Sequence, residues 1–232
     1  MAKTNANAAS ENTDSMLLIF EQIRLQVGAL KASLGPLLAM PEDSEPYRKA
    51  AEIVDALFCF DVAMTFYSEA NRAIQAQAWF AGAAVSASAL EAILLANCFG
   101  HQDRIKALPR WKTLPSKLKK DFRIFARSMD LGKLLDIARE LKWFPSGGLP
   151  EEFLAAMTAY SDASTMTQIR DFFSVSNDVS QICSNQVREY RNLLHPAVCL
   201  RENQQPSELA GQAATLVFLV AFTSLCKNVK FL

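Results

Sequence analysis

Four polar residues near the end of a predicted helix have the types and spacing that phosphate chemistry requires. They are Arg188, Arg191, Asn192 and His195. Because an α-helix turns by about 100° per residue, Arg188 and His195 lie two turns apart on nearly the same side, with Arg191 between them. A guanidinium group binds phosphate with paired donors, and an imidazole exchanges protons near neutral pH. The spacing therefore predicts a site that handles a phosphate group.

This polar stripe borders an apolar face of the same predicted helix. Val187, Tyr190 and Leu194 cover the adjoining side, so the stripe is expected at the edge of the buried surface. Pro196 disfavours helical geometry at His195, which predicts that the helix ends there. The alternative is a purely structural role, in which the arginines solvate the end of the helix and its dipole stabilises the histidine.

The string from Arg188 to Pro196 reads REYRNLLHP. It resembles the Arg-x(4–6)-His signature of the HEPN superfamily, with Arg188 as the motif arginine because Arg191 is too close to His195. That superfamily comprises small α-helical bundles, many of them metal-independent ribonucleases of bacterial defence and toxin–antitoxin systems. Two further stretches are similar to HEPN-like proteins: SALEAIL at residues 88–94 resembles their central helix, and residues 131–141 resemble the helix before the motif. The resemblance spans residues 50–225.

The resemblance implies an endoribonuclease that cleaves RNA by attack of the ribose 2′-hydroxyl on the neighbouring phosphate. His195 would move a proton, as base or acid, and Arg188 would stabilise the charge that develops on the phosphate. Asn192 would orient the histidine or a phosphate oxygen. Arg191 would be an auxiliary or, in a variant geometry, the true partner of His195. The resemblance implies no metal or other cofactor, and it implies a homodimer. Many members are inactive, so a non-catalytic module that binds RNA or a protein, such as an antitoxin or regulator, stays open.

The basic segment, residues 103–127, is the second feature that suggests RNA. Nine cations stand in it against two carboxylates, which leaves a net charge of +7 in a chain that is neutral overall. Cations neutralise phosphates and aromatic rings stack on unpaired bases, so the segment is a candidate RNA-binding element. The alternative is a solvated connector whose aromatic residues anchor it to the bundle. The candidate RNA-binding residues are Arg104, Lys106, Arg110, Trp111, Lys112, Lys117, Lys119, Lys120, Arg123 and Arg127, with Phe122 and Phe125 as further interleaved rings.

Glu91 is a candidate orienting residue. It stands among apolar residues of the 88–94 stretch, and a buried carboxylate needs a partner. We predict that it pairs with an arginine of the polar stripe. The alternative is that Glu91 faces solvent.

The composition argues against several classes of protein. The chain has 232 residues with 24 basic and 24 acidic side chains, and its five cysteines form no CxxC pair. Zinc fingers, zinc ribbons and disulfide scaffolds are therefore not expected, and free thiols fit the cytoplasm. A bilayer core needs about 20 predominantly apolar residues. The apolar stretch at residues 209–226 is interrupted by polar side chains, so we expect no membrane partner.

Helical spacing of apolar residues runs through almost the whole chain and predicts an all-α fold. We expect an up-and-down-like, HEPN-like bundle of six or seven helices. The predicted organisation is a disordered tail (residues 1–13) and a single helical domain (14–232), with an N-terminal helical extension at 14–45 and a basic connector at 103–127. The first helix is predicted to end at Gly35-Pro36 and the next to start at Ser44 and Pro46. The alanine-rich stretch 76–99 is the predicted central helix.

Overall fold

The protein is all-α in the part that the structure describes. The computed structural model describes residues 25, 27–144, 167, 178, 180–186 and 208–226. We number the helices α1 to α10 along that part of the chain: α1 Val27–Leu38, α2 Glu45–Gln75, α3 Trp79–Gly100, α4 Gln102–Lys106, α5 Pro109–Thr113, α6 Ser116–Lys119, α7 Phe122–Arg127, α8 Leu131–Glu140, α9 180–186 and α10 Glu208–Cys226. The predicted class is confirmed at this level.

The start of α2 follows from local sequence. The Ser44 side chain accepts a hydrogen bond from the backbone N–H of Tyr47 at 3.3 Å. Pro46 occupies the first turn, where backbone N–H groups have no partner within the helix, so the missing N–H of proline costs no hydrogen bond. Ser44 and Pro46 therefore begin this helix as predicted.

The first helix does not end where the sequence predicts. The prediction placed its end at Gly35-Pro36, but α1 continues through both residues to Leu38. A proline inside a helix costs a backbone hydrogen bond, yet its fixed φ is compatible with the helical conformation. Val27 and Leu34 are buried in the core, and Lys31 pairs with Asp61 of α2 at 2.5 Å. Leu37, in the turn beyond Pro36, packs against the hydrophobic core, and this tertiary contact holds the turn that the local signal does not predict.

Two helices end in the same left-handed turn without a glycine. After α2, Gln77 has φ 56°, and the N–H of Ala78 donates to the carbonyl of Ala73 at 2.8 Å. After α8, Lys142 has φ 54°, and the N–H of Trp143 donates to the carbonyl of Ala138 at 2.9 Å. Both are Schellman turns, which satisfy carbonyl groups at a helix end and normally favour glycine at the left-handed position.

The α3 helix is the centre of the bundle, as the alanine-rich sequence predicts. It packs against α2, α10, α8, α7 and α4. One hydrophobic cluster joins residues from α1 to α10, and Leu90, Ile93 and Leu94 of α3 are fully buried in it. By length and composition alone α3 could also cross a bilayer, although 56% of its most apolar stretch is buried inside the protein.

Glycines allow α3 and α10 to approach closely. A Cβ added at Gly82 of α3 would lie 3.1 Å from the Thr215 side chain, and one at Gly211 of α10 would lie 3.3 Å from the backbone of Trp79. The Thr215 hydroxyl, which is buried, lies 3.0 Å from the carbonyl of Trp79 and 2.8 Å from that of Gly211. The two helices are therefore joined by small residues and a shared polar contact.

Candidate nucleic-acid interface

The basic segment folds into the four short helices α4 to α7, which aromatic rings attach to the bundle. Phe122 and Phe125 are buried, with 3% and 2% of their surfaces exposed. Trp111 contacts both rings, with centroid distances of 5.9 and 4.8 Å, and Phe99 of α3 packs edge-on against Phe122 at 5.7 Å. Aromatic clusters of this kind contribute strongly to packing. The segment is thus part of the folded core.

The expectation that Phe122 and Phe125 stack on unpaired bases is wrong. Both rings are covered by other protein groups, so neither presents a face to a base. The alternative interpretation, in which these aromatic residues anchor the segment, is confirmed for this pair. Trp111 is half-buried and keeps part of its surface accessible, so its proposed contact with RNA stays a prediction.

Three arginines of the segment hold it against the helices around it. The Arg123 guanidinium donates to both carboxylate oxygens of Asp55, at 2.5 and 3.2 Å. Arg110 pairs with Glu140 at 2.5 Å. Arg104 donates to the backbone carbonyl of Leu141 at 3.0 Å, where the side chain satisfies the end of α8. The carboxylates of Glu140 and Asp55 offset the charges of Arg110 and Arg123, whereas Arg104 bonds to a neutral carbonyl and keeps its charge.

The exposed lysines of α5 and α6 form what we call the lysine cluster: Lys112, Lys117, Lys119 and Lys120. The Lys119 ammonium donates to the backbone carbonyl of Lys112 at 2.8 Å, which brings the ends of α5 and α6 together. Lys117 and Lys120 are three residues apart, and Lys120 keeps helical dihedral angles, so their side chains leave the same side. Lys117 and Lys120 therefore share one side of α6, and all four cations lie within the nine residues 112–120.

The lysine cluster has no carboxylate partner among the described residues. The ion pairs in that part of the chain involve other cations, and the two acidic residues of the segment do not neutralise the cluster. Asp121 instead caps α7, where its side chain accepts the N–H of Arg123 at 2.8 Å. Exposed cations without counter-charges create a positive potential that attracts polyanions.

The two remaining cations of the segment differ in their surroundings. Lys106 donates to Gln102 at 3.1 Å, and its ammonium lies 5.6 Å from the centre of the Phe122 ring. Arg127 is exposed at the end of α7 and makes no ion pair with another described residue. Arg127 is therefore available to an external anion, whereas Lys106 also packs over the aromatic anchor.

Glu91 lies half-buried on α3. Burial, and secondarily the carboxylate of Asp130, raise the pKa of Glu91 above its usual range. This is the direction expected for a carboxyl group that loses water and faces a second negative charge. The arginines predicted to pair with Glu91 lie outside the described residues, so the pairing stays a prediction.

The polar stripe itself lies outside the described residues. This applies to Arg188, Arg191, Asn192 and His195 and to the apolar face beside them. The nearest described residues before it, α9 at 180–186, place Ile182 and Cys183 in the hydrophobic core.

The described residues show no group of three or more histidine, cysteine or acidic side chains that could hold a metal ion. Four of the cysteines are free thiols, and Cys98, Cys183 and Cys226 are buried. Burial raises the pKa of these three thiols, so they stay protonated and act as apolar core residues.

Sequence reasoning missed the residues that fix the basic segment in place. Asp55 and Glu140 belong to α2 and α8, and nothing in their local sequence marks them as partners of Arg123 and Arg110. It also missed a surface groove that Asp55 helps to line.

Comparisons of the chain with protein-family models, with curated proteins and with solved structures found no match.

Proposed function

We propose that this protein binds RNA through the lysine cluster and is a metal-independent endoribonuclease of the HEPN type. The observation that carries the binding proposal is the set of four exposed lysines without carboxylate partners among the described residues. The HEPN-like string at residues 188–196 supports the catalytic part. Defence or toxin–antitoxin activity as a homodimer is the context that the resemblance implies, and the free thiols favour the cytoplasm.

Three arginines hold the basic segment in place. Its lysines are therefore available for another role, which favours a function in binding. A segment that served only as a connector would need its anchors, Arg104, Arg110 and Arg123, and its aromatic rings. The four lysines are further cations close together in the chain, where like charges repel one another, and only Lys119 makes a bond within the segment, to the carbonyl of Lys112. A polyanion removes this repulsion by neutralising the charges, and phosphate contacts of this type are independent of base sequence.

The proposed reaction is an internal transfer at phosphorus. The ribose 2′-oxygen attacks the adjacent phosphorus, the bond to the 5′-oxygen of the next nucleotide breaks, and a 2′,3′-cyclic phosphate and a 5′-hydroxyl result. One proton leaves the 2′-hydroxyl and one reaches the 5′-oxygen, and His195 handles one of these transfers. Arg188 neutralises the charge on the non-bridging oxygens. Asn192 orients the reacting groups and Arg191 assists.

The binding proposal is tested by comparing two double variants that remove the same charge. Lys117→Gln/Lys120→Gln removes half of the lysine cluster, whereas Lys49→Gln/Lys133→Gln removes two lysines that already pair with Glu45 and Asp130. Affinity for a fluorescent single-stranded RNA is measured from 50 to 300 mM salt. Each lost phosphate contact lowers the slope of log K against log salt by about 0.7. We expect a reduced slope for the first variant only; equal slopes for both would refute the proposal.

The catalytic proposal is tested with His195→Ala. The variant should lose RNA cleavage while its helical circular-dichroism signal and its RNA affinity are unchanged, and excess EDTA should not inhibit the unmodified protein. If the histidine only caps a helix, the variant should have a lower melting temperature, and the unmodified protein should not cleave RNA at all.

A non-catalytic binding module is the second candidate, and the lysine cluster favours it as well. It predicts salt-dependent RNA affinity in a protein that yields no cyclic phosphate product. A stable protein complex with neither RNA binding nor cleavage would instead indicate a scaffold or an antitoxin-like role.

A further inference from the structure

An apolar groove opens on the surface between α2, α3 and α7. Its lining includes Phe58 and Cys59 of α2, Leu95 and Phe99 of α3, and Arg127 of α7. Its volume is about 200 Å³. None of the four lysines of the cluster lines the groove, although Arg127, one of the predicted RNA-binding residues, does.

Phe58 is the most exposed apolar residue of the lining, with 66% of its surface accessible. Two further exposed apolar residues, Val54 at 36% and Ile124 at 39%, are the chain neighbours of Asp55 and Arg123, whose ion pair joins α2 to α7. Large apolar side chains grouped on a surface indicate an interaction site more strongly than single exposed ones do.

The size of the groove fits one side chain. A buried apolar cavity of about 150 Å³ accommodates benzene, whereas pockets for drug-sized ligands have volumes of about 300–1,000 Å³. A groove of about 200 Å³ thus accommodates one aromatic or large aliphatic group and not a cofactor. Interfaces between proteins commonly centre on such an anchor side chain in a pocket.

The charge at the groove is positive. The carboxylate of Asp55 is bound by Arg123 at two points, while Arg127 makes no ion pair with another described residue. An acidic group on a ligand would therefore find a partner in Arg127, and a basic group would not. A nucleic-acid base suits the groove poorly, since its polar edge would face the apolar Phe58, Leu95 and Phe99 without hydrogen bonds.

We propose that this groove docks an amphipathic helix of a partner protein, which inserts one aromatic or large aliphatic side chain and places an acidic residue one turn away against Arg127. The apolar groove binds the anchor, the exposed Phe58 contacts it from α2, and Arg127 selects the acidic partner. Helices that dock in this way present their contacts at intervals of three or four residues.

The proposal is tested with three fluorescent 15-residue alanine-rich helical peptides. One carries a central phenylalanine with glutamates three and four residues later, the second has lysines in place of the glutamates, and the third has alanine in place of the phenylalanine. Fluorescence anisotropy at up to 1 mM protein measures their affinities. We expect the first to bind at least tenfold more tightly than either of the others; absence of binding, or equal affinities, overturns the proposal.

Protein variants locate the contact. Phe58→Ala and Arg127→Gln change exposed side chains, so the fold should be retained, and each should weaken binding of the first peptide at least fivefold. Met40→Ala and Lys142→Gln are matched controls at exposed positions away from the groove, and they should leave the affinity unchanged. If both groups of variants bind the peptide alike, the groove is not its site.

The thiol of Cys59 gives an independent readout. It lines the groove and is half-buried, and burial together with Asp55 raises its pKa to about 11. Alkylation of Cys59 at pH 9 is therefore expected to be slow, and its rate is followed by site-resolved mass spectrometry. The first peptide should reduce this rate at least threefold. If single-stranded RNA slows it and the peptide does not, the groove is a nucleotide site and the proposal fails.

Discussion

Arg123 and Asp55, which are 68 residues apart in the chain, form a two-point ion pair with N–O distances of 2.5 and 3.2 Å. The pair joins α7 to α2 and so fixes the basic segment on the bundle. It also determines which cations are free: Arg123 is committed to Asp55, while Arg127, one turn later, is open to solvent.

This pair is expected to stabilise the fold measurably. A two-point, half-buried arginine–carboxylate pair should show a coupling energy of about 1–2 kcal/mol in a double-mutant cycle of Asp55→Asn and Arg123→Gln, measured by urea unfolding. The control cycle uses Glu45 and Lys49, an exposed pair within α2, which should couple more weakly because solvent screens it. A larger coupling energy for Glu45 and Lys49 than for Asp55 and Arg123 would contradict this prediction.

The close approach of α3 and α10 makes Gly82 sensitive to substitution. In Gly82→Ala the new methyl group would meet the Thr215 side chain at 3.1 and 3.2 Å, so Thr215, which is buried between the helices, must shift by a few tenths of an ångström. We expect a loss of about 1–3 kcal/mol in the free energy of unfolding.

The matched control is Gly28→Ala in α1, where a Cβ meets nothing within 4 Å. This helical position is open, so alanine should stabilise the protein by about 0.4–1 kcal/mol. Thermal or urea unfolding of both variants distinguishes the two effects. The same sign for both changes would show that Gly82 is not a packing contact.

Replacing the left-handed residue after α2 by glycine should stabilise the protein. Gln77 holds a φ of 56°, a conformation that is unfavourable for a residue with a Cβ. Gln77→Gly should therefore raise the free energy of unfolding by about 0.5–1 kcal/mol, the strain relief less the added chain entropy. Gln75→Gly, two residues earlier and still in α2, should lower it. If Gln77→Gly lowers the stability, Gln77 carries no backbone strain that glycine relieves.

The stability of the protein should depend on pH through Glu91. Its pKa is raised in the folded state, so the folded protein binds this proton more tightly than the unfolded chain. Stability from Glu91 is therefore full at pH values below the ordinary carboxyl pKa and is lost as pH rises through the raised value. Glu91→Gln should raise the melting temperature at pH 7.5, and the gain should vanish near pH 4.

The control for Glu91 is Glu42→Gln, an exposed position outside the helices. It should leave the melting temperature unchanged at both pH values. If Glu91→Gln lowers the melting temperature at pH 7.5, a cation pairs with Glu91, which is the result that the predicted pairing with an arginine of the 188–195 stripe requires.

The sequence alone determined the features that depend on neighbours a few residues apart. Ser44 and Pro46 mark the start of α2, and apolar spacing marks α8, because capping and helical periodicity act within one or two turns. The charge of the basic segment is likewise a property of composition. The HEPN-like string was found by resemblance, and its side chains lie outside the described residues.

Only the tertiary structure decided which of these residues are free to act. Arg104, Arg110 and Arg123 look like Lys117 and Lys120 in sequence, but the first three meet Leu141, Glu140 and Asp55 across the fold. The burial of Phe122 and the continuation of α1 through Pro36 have the same origin. Contacts between residues far apart in the chain outweigh local preferences, and their partners carry no mark in the surrounding sequence.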